Sequence, residues 1–268
     1  MVGIVERLVP DELWELFQRV VPGAPSRPQG GGRRRHGDRE VLAAIVFVAT
    51  PGCTWPQLPS ALFGPSGATA HRRFSEWSKA RVWAKLHRLV LDVLGARGEL
   101  DWSRCAIDSV NMPALKKGDL MGPNPIDRGK YGSKIHLITE RSGMPISVGV
   151  SGANLHDSQA LIPLVKGIPP IRSRRGASRR KPSKLHADKG YYAHLRKWLR
   201  GCGITYRIAR KGVESSQRLG RHRWTVERTM AWLAGCRRLH RRYERKADHF
   251  LAFTSIACTL ICYRRLAK

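Results

Sequence analysis

Cys105-Ala-Ile-Asp108 and Leu185-His-Ala-Asp188 are two short, mainly apolar stretches that each end in an aspartate. Their composition predicts buried strands, and in both the acid falls at the carboxyl end. Functional groups of open α/β sheets gather at the carboxyl ends of the strands, so the two carboxylates meet at one rim if these strands are neighbours. Acids are rare here, because residues 101–268 hold 11 acidic and 35 basic side chains.

The elements around these two strands predict the fold of residues 98–268. Residues 133–139 and 145–150 alternate in polarity around Ser142-Gly143, which indicates two further strands joined by a turn. The later elements are, in order, a helix over 157–166 capped by Asp157, the strand 185–188, a helix over 191–200, a strand over 204–209 and a long helix over 221–239. This order predicts a ribonuclease-H-like α/β domain with a mixed five-stranded sheet.

Residues 1–97 predict an all-helical domain. Apolar residues recur at helical spacing over 8–20, and Pro22 ends that helix. A loop over 23–40 is rich in Gly, Pro and Arg, and a helix over 41–49 follows. A short helix, a glycine-containing turn and a helix bearing Arg72 and Arg73 are typical of a helix-turn-helix DNA-binding module, although many small helical bundles share this pattern.

The charge balance points to a polyanionic partner. The chain has 49 Lys and Arg against 20 Asp and Glu, a formal charge of +29, with a pI of about 11.1. A hydrophobic content of 42% and eight tryptophans exclude a disordered basic tail.

Six cysteines without a CxxC pair fit neither a zinc ribbon nor a disulfide framework. With no secretory signal or membrane-spanning stretch in the sequence, we expect a soluble, intracellular protein.

Glu227 is the third acid of interest. Its helix face continues with Ala231 and Ala234, small residues that would let this face approach the sheet. Three converging carboxylates repel each other unless a cation lies among them, and Mg²⁺ or Mn²⁺ prefers such oxygen ligands. The alternative is that each Asp is a turn or helix cap and that Glu227 forms a surface pair with Arg223 or Arg228.

Several motifs carry a family resemblance across residues 8 to about 265. In the C-terminal part they are Ala106-Ile-Asp108-Ser, Asp127-Arg-Gly-Lys-Tyr-Gly-Ser-Lys-Ile-His136-Leu, Ala153-Asn-Leu-His156-Asp157-Ser, Ala187-Asp188-Lys-Gly-Tyr191 and Arg223-Trp-Thr-Val-Glu227-Arg-Thr-Met-Ala-Trp232-Leu. In the N-terminal part they are Gly52-Cys-Thr-Trp55-Pro-Gln-Leu-Pro59 and Arg72-Arg-Phe-Ser-Glu-Trp77. Together they closely resemble the IS5 family of insertion-sequence DDE transposases.

The resemblance implies roles for individual residues. Asp108, Asp188 and Glu227 would be the catalytic residues and the ligands of two Mg²⁺ or Mn²⁺ ions per active site. Arg223 and Arg228 would contact the DNA backbone near the scissile phosphate. The signature around the glutamate is incomplete, because Gly220 and Ala234 occupy positions where related transposases carry Tyr and Lys.

We therefore expect a transposase that binds terminal inverted repeats, hydrolyses a phosphodiester and transfers the freed 3′-hydroxyl to target DNA, as a homodimer on double-stranded DNA. The resemblance also implies a cytoplasmic bacterial protein that is associated with the nucleoid. The further residues expected to contact DNA are Arg33, Arg34, Arg35, Arg72, Arg73, Lys134, Arg237 and Arg238. The alternatives are a catalytically inactive, transposase-derived DNA-binding protein and a general metal-dependent nuclease.

Overall fold

The computed structural model describes residues 3–23, 35–188, 194–208 and 216–267, and for 216–223 it describes only the helical backbone. Arg33, Arg34 and the side chain of Arg223 therefore lie outside the described residues. The N-terminal helices are α1 (Ile4–Leu8), α2 (Asp11–Gln18), α3 (Asp38–Ala49), α4 (Ser60–Phe63), α5 (Gly67–Lys79) and α6 (Val82–Arg97).

Two features of the N-terminal helices follow from single residues. The prediction of a single helix over 8–20 is wrong. α1 ends at Leu8 and α2 begins at Asp11, because Pro10 between them lacks the N–H that a helix interior needs. The predicted short helix, turn and second helix are present as α4 and α5. Gly64 joins them with a φ of 85°, and Ser66 caps α5 by accepting the Thr69 N–H at 3.3 Å.

A mixed sheet forms the C-terminal part. Its strands are β1 (Cys105–Pro113), β2 (Gly122–Pro123), β3 (Tyr131–Thr139), β4 (Pro145–Gly152), β5 (Lys184–Ala187) and β6 (Thr205–Ile208). β3 pairs antiparallel with β1 on one side and with β4 on the other, while β5 pairs parallel with β1 and β6. The order β4-β3-β1-β5-β6 confirms the ribonuclease-H-like α/β prediction. The two-residue strand β2, paired with the start of β3, is an addition to the predicted five strands.

Helices cover the sheet. They are α7 (Ser158–Lys166), α8 (His194–Gly201), α9 (Ser216–Ala234) and α10 (Ala247–Leu266). α7 covers one face, where Ser147 of β4 donates to the Leu164 carbonyl at 2.8 Å. On the opposite face, Arg242 from the α9–α10 connection donates to the Ser133 hydroxyl of β3 at 2.6 Å. The sheet is therefore a central layer between helices, as its apolar strands require.

The predicted cap at Asp157 is wrong in its detail. Asp157 precedes α7, but its side chain makes no capping hydrogen bond. It accepts instead from the buried ammonium of Lys134 at 3.0 Å. The ring of His156 lies at the helix start, 3.3 Å from the Ser158 amide that donates to Nδ1. Pairing a buried cation outweighs the cap, since an unpaired buried charge is costly.

The last helix joins the two parts of the chain. α10 packs against α6 of the helical part and against β4 of the sheet. Phe253 of α10 stacks on Phe74 of α5 with ring centroids 4.5 Å apart. The division into 1–97 and 98–268 stays a prediction, and one continuous apolar core spans both parts. None of the helices in the described ranges combines the length and apolar character that a bilayer crossing requires.

Glu140, at the end of β3, anchors the β3–β4 turn although it is fully buried. One carboxylate oxygen accepts the amides of Ser142 and Met144 at 2.9 Å, and the other accepts the Asp101 amide at 3.0 Å. We expect Glu140→Gln to lower the free energy of unfolding by about 1–3 kcal/mol, because the amide group leaves a buried N–H without an acceptor. Chemical denaturation measures this. The exposed Glu15→Gln is the control, and an equal effect of both changes would contradict the prediction.

Burial lowers the pKa of His87 in α6 to about 4 and does the same for His136 in β3. A histidine in the unfolded chain has a pKa near 6.5. Below that pH the unfolded chain binds a proton that the buried neutral ring does not bind. The free energy of unfolding therefore falls as the pH is lowered from 6.5 towards 4. We expect the free energy of unfolding to fall by about 2 kcal/mol per histidine between pH 7.5 and 5. Denaturant titrations of wild type and His87→Gln test this, since the fall in the variant should be smaller by about 2 kcal/mol. An unchanged pH dependence would refute it.

Candidate active site

The register of β1 and β5 places the two aspartates side by side. Ala106 pairs with His186 in this parallel ladder. Continuing the register by two residues sets Asp108 against Asp188, and both then lie on the same face of the sheet. Both side chains are partly exposed, and Asp108 accepts the Ser109 amide at 2.9 Å. The predicted position of Asp108 at the carboxyl end of its strand is wrong, because β1 continues to Pro113 in its pairing with β3. That the two carboxylates meet stays a prediction.

The face that carries Asp108 also carries the α9–α10 connection. Asp108 and Met112 share a face of β1, because side chains alternate along a strand. Met112 pairs with Ser133, the residue whose hydroxyl receives Arg242. The segment that follows Glu227 in sequence therefore packs on the same face of the sheet as the aspartate.

Two neighbours of Glu227 are held at the amino end of β1. Arg228 and Thr229 donate to the carbonyls of Ser142 and Gly143 at 2.6 and 2.7 Å. These carbonyls lie in the β3–β4 turn, which stands at the amino end of β1, while Asp108 lies further along the strand. In the described part of the chain, no three His, Cys, Asp or Glu side chains form a group able to hold a metal ion. The grouping of Asp108, Asp188 and Glu227 at one site therefore stays a prediction.

The helix face of Glu227 differs from the expectation. Ala231 and Ala234 are exposed together with Glu227 and do not pack on the sheet. The buried stripe of α9 is formed by Thr225, Val226, Thr229 and Leu233. β-branched and apolar residues at a spacing of three and four bury more area than two alanines, so they decide which face of the helix meets the sheet.

Arg228 has a structural environment that the sequence pattern did not reveal. Its guanidinium lies 4.5 Å from the ring centre of Trp224 and 4.6 Å from that of Trp232, in addition to its bond to Ser142. Such cation–π contacts stabilise a desolvated arginine. The spacing of the two tryptophans, four residues on either side of Arg228, was the available signal.

Three of the residues expected to contact DNA are buried inside the fold. Arg73 is 4% exposed, Lys134 8% and Arg238 5%. Lys134 binds Asp157, as described above. Arg238 forms a 2.8 Å ion pair with Glu244 and donates to the Cys53 carbonyl at 3.0 Å. A phosphate contact would require each group to leave these partners, so their charges stabilise the fold.

Arg73 shows the same arrangement within α5. It pairs with Asp38 of α3 and lies 4.8 Å from the ring centre of Trp77. Its neighbour Arg72 is largely exposed and reaches only Glu76, at 4.0 Å. Arg35 and Arg237 are also exposed.

The comparisons with known proteins agree with this architecture. Residues 102–262 match the family described as "Transposase DDE domain". Residues 9–87 match the family described as "Putative transposase of IS4/5 family". The chain belongs to the DDE transposases of the IS4/5 family. The resemblance drawn from the sequence motifs is confirmed.

Two relatives come from Burkholderia cepacia. The chain is 45% identical over 148 residues to the "Putative transposase for insertion sequence element IS402", covering 55% of this chain and 70% of that protein. It is 37% identical over 119 residues to the "Insertion element IS402 uncharacterized 16.2 kDa protein", covering 44% of this chain and 81% of that protein. Among solved structures, the Mos1 strand transfer complex matches with 12% identity and a TM-score of 0.30 over 89% of this chain and 81% of that one.

Truncation of Arg73 should destabilise the protein much more than truncation of Arg72. We expect Arg73→Ala to lower the free energy of unfolding by about 2–4 kcal/mol, because Asp38 loses its partner in a partly buried site. Arg72→Ala should change it by less than about 0.5 kcal/mol, because the side chain is exposed. Denaturant unfolding of both variants measures the difference. A stable Arg73→Ala would contradict the structural role given to this arginine.

Proposed function

We propose that this insertion-sequence transposase binds the terminal inverted repeats of its element, hydrolyses the phosphodiester at each end, and transfers the freed 3′-hydroxyl to target DNA. The observation that carries the proposal is the parallel pairing of β1 with β5, because its register, continued by two residues, would bring Asp108 to Asp188. It occurs in a chain whose residues 102–262 match a transposase DDE domain. Membership of this family makes the protein an enzyme that cleaves and transfers DNA.

The donor chemistry of the aspartate pair fits a divalent metal ion. Two partly exposed carboxylates on adjacent strands offer the hard oxygen ligands of Mg²⁺ or Mn²⁺. We propose that Asp108, Asp188 and Glu227 hold two such ions. When bound, the ions would supply charge stabilisation and an activated oxygen nucleophile.

Glu227 would complete the ligand set of this site. It is exposed on α9, so its side chain is accessible to DNA and ions. α9 packs on β1, the strand of Asp108, and Arg228 and Thr229 fix this helical turn against the β3–β4 turn.

The chain's basic residues would hold the DNA. Arg35, Arg72 and Arg237 are the predicted contacts that the structure leaves exposed, and they fit binding to phosphates. Arg72 lies on α5, the second helix of the helix-turn-helix arrangement, so we propose that α5 reads the inverted repeat. A homodimer assembled on DNA would handle two ends together.

Asp188→Asn and Asp108→Asn separate catalysis from binding. We expect each variant to bind an inverted-repeat duplex as wild type does and to lose strand cleavage with Mg²⁺ or Mn²⁺ by at least about 100-fold, since a neutral amide is a poor ligand for these ions. Labelled repeat ends on denaturing gels and an electrophoretic mobility shift measure the two activities. Asp11→Asn, a change on the exposed face of α2, is the control.

Two outcomes would replace the proposal. If wild type binds the repeats but never cuts them under either metal, the protein is an inactive, transposase-derived DNA-binding protein. The sequence feature that favours this alternative is the incomplete signature, with Gly220 and Ala234 where related transposases carry Tyr and Lys. If wild type cuts DNA without repeats equally well, it is a general nuclease.

A further inference from the structure

The connection between α7 and β5 carries a dense basic cluster that the proposed function does not use. We call residues 171–181 the basic hairpin, because Ile171 and Arg179 exchange two backbone hydrogen bonds of 2.9 and 2.8 Å. Its six cations are all exposed: Arg172, Arg174, Arg175, Arg179, Arg180 and Lys181. Consecutive charged residues are usually a solvent-exposed segment without a binding role. The contacts that fix this segment and the charges around it decide whether it can be a binding surface.

The basic hairpin is fixed to the body of the protein at several points. Ile171 is fully buried. The Arg172 amide donates to Asp92 of α6 at 2.8 Å, and a Cβ at Gly95 would lie 2.0 Å from the Arg172 carbonyl. Arg179 lies 5.8 Å from the ring centre of Trp102. These contacts hold the backbone in place, so binding a polyanion costs less ordering entropy than a free tail would.

No acid in the described part of the chain forms an ion pair with the six cations. The acids nearest to the basic hairpin already have other arginine partners, which are Arg88 for Asp92, Arg97 and Arg265 for Glu99, and Arg141 for Asp101. The positive charge of the hairpin is therefore not neutralised within the described chain. An uncompensated group of fixed cations attracts a polyanion strongly at low salt.

The basic hairpin lies at the end of the sheet opposite to the aspartates. It precedes β5, whereas Asp188 follows β5, and the Ser183 amide binds the carbonyl of Trp102 just before β1. Lys184 and Asp188 are about 13 Å apart along the strand, and the hairpin lies beyond Lys184. The basic hairpin and Asp188 are therefore separated by at least the length of β5.

We propose that the basic hairpin is a second binding surface for double-stranded DNA, which holds a duplex segment other than the one at Asp108 and Asp188. This rests on the proposed function, since a transposase handles element ends and target together. Recognition is through backbone phosphates and is independent of sequence, because arginine and lysine side chains on a hairpin offer charge and donors without a groove-reading element.

The test is the number of duplexes that each chain binds. The full-length protein is titrated with a 12-base-pair duplex of random sequence in the absence of divalent ions, and the saturation ratio is measured by fluorescence anisotropy and native mass spectrometry. The variant is Arg175→Gln, Arg180→Gln and Lys181→Gln combined, which spares the anchoring contacts. The control is Arg7→Gln, Arg19→Gln and Lys166→Gln, three exposed and scattered cations. We expect the hairpin variant to bind one duplex fewer per chain than wild type and control.

The salt dependence gives a second measurement. The affinity for the weaker-bound duplex should lose up to about 2.7 units of its log–log salt slope in the hairpin variant, about 0.9 for each phosphate contact removed. Equal stoichiometry in all three proteins, or an equal loss in the control, would overturn the proposal. Tighter competition by double-stranded RNA or polyglutamate than by DNA would overturn the choice of partner. This experiment measures binding and not cleavage. Its result can therefore be interpreted even if the catalytic proposal fails.

Discussion

The pairing of β1 between β3 and β5 governs the architecture around Asp108 and Asp188. Adjacent parallel strands run about 5 Å apart, so the register of this pairing decides how closely the two carboxylates can approach. Both side chains are partly exposed. This exposure leaves them accessible to a cation and to DNA. Positive charge in residues 101–268 then surrounds a small negative centre.

A chain with a formal charge of +29 must also place cations inside its fold. Arg242 is fully buried, and burial lowers its pKa. It donates to the Leu120 carbonyl at 3.0 Å and the Glu244 carbonyl at 2.9 Å, and lies 4.9 Å from the ring centre of Phe250. Carbonyl dipoles and aromatic faces thus replace the acids that the composition lacks.

The sequence was sufficient for the parts of the structure that depend on local patterns. The apolar stretches ending in Asp108 and Asp188 predicted two strands, and the element order predicted the sheet that contains them. Which arginines are buried could not be predicted, because the partners are distant in the chain, as with Asp38, which lies 35 residues before Arg73. The orientation of α9 was missed because alanines signal both close packing and exposure. Pro10 was a local signal that outweighed the helical spacing around it.

The placement of α10 has a consequence for how the chain reaches its native state. The N-terminal helices bury Phe74 against Phe253, a residue far along the chain. Contacts of such high sequence separation raise the contact order and slow folding. During synthesis the apolar side of the first helices therefore stays exposed until α10 has been made and packs against it. A change that unfolds α10 would open the core of the helical part and of the sheet together.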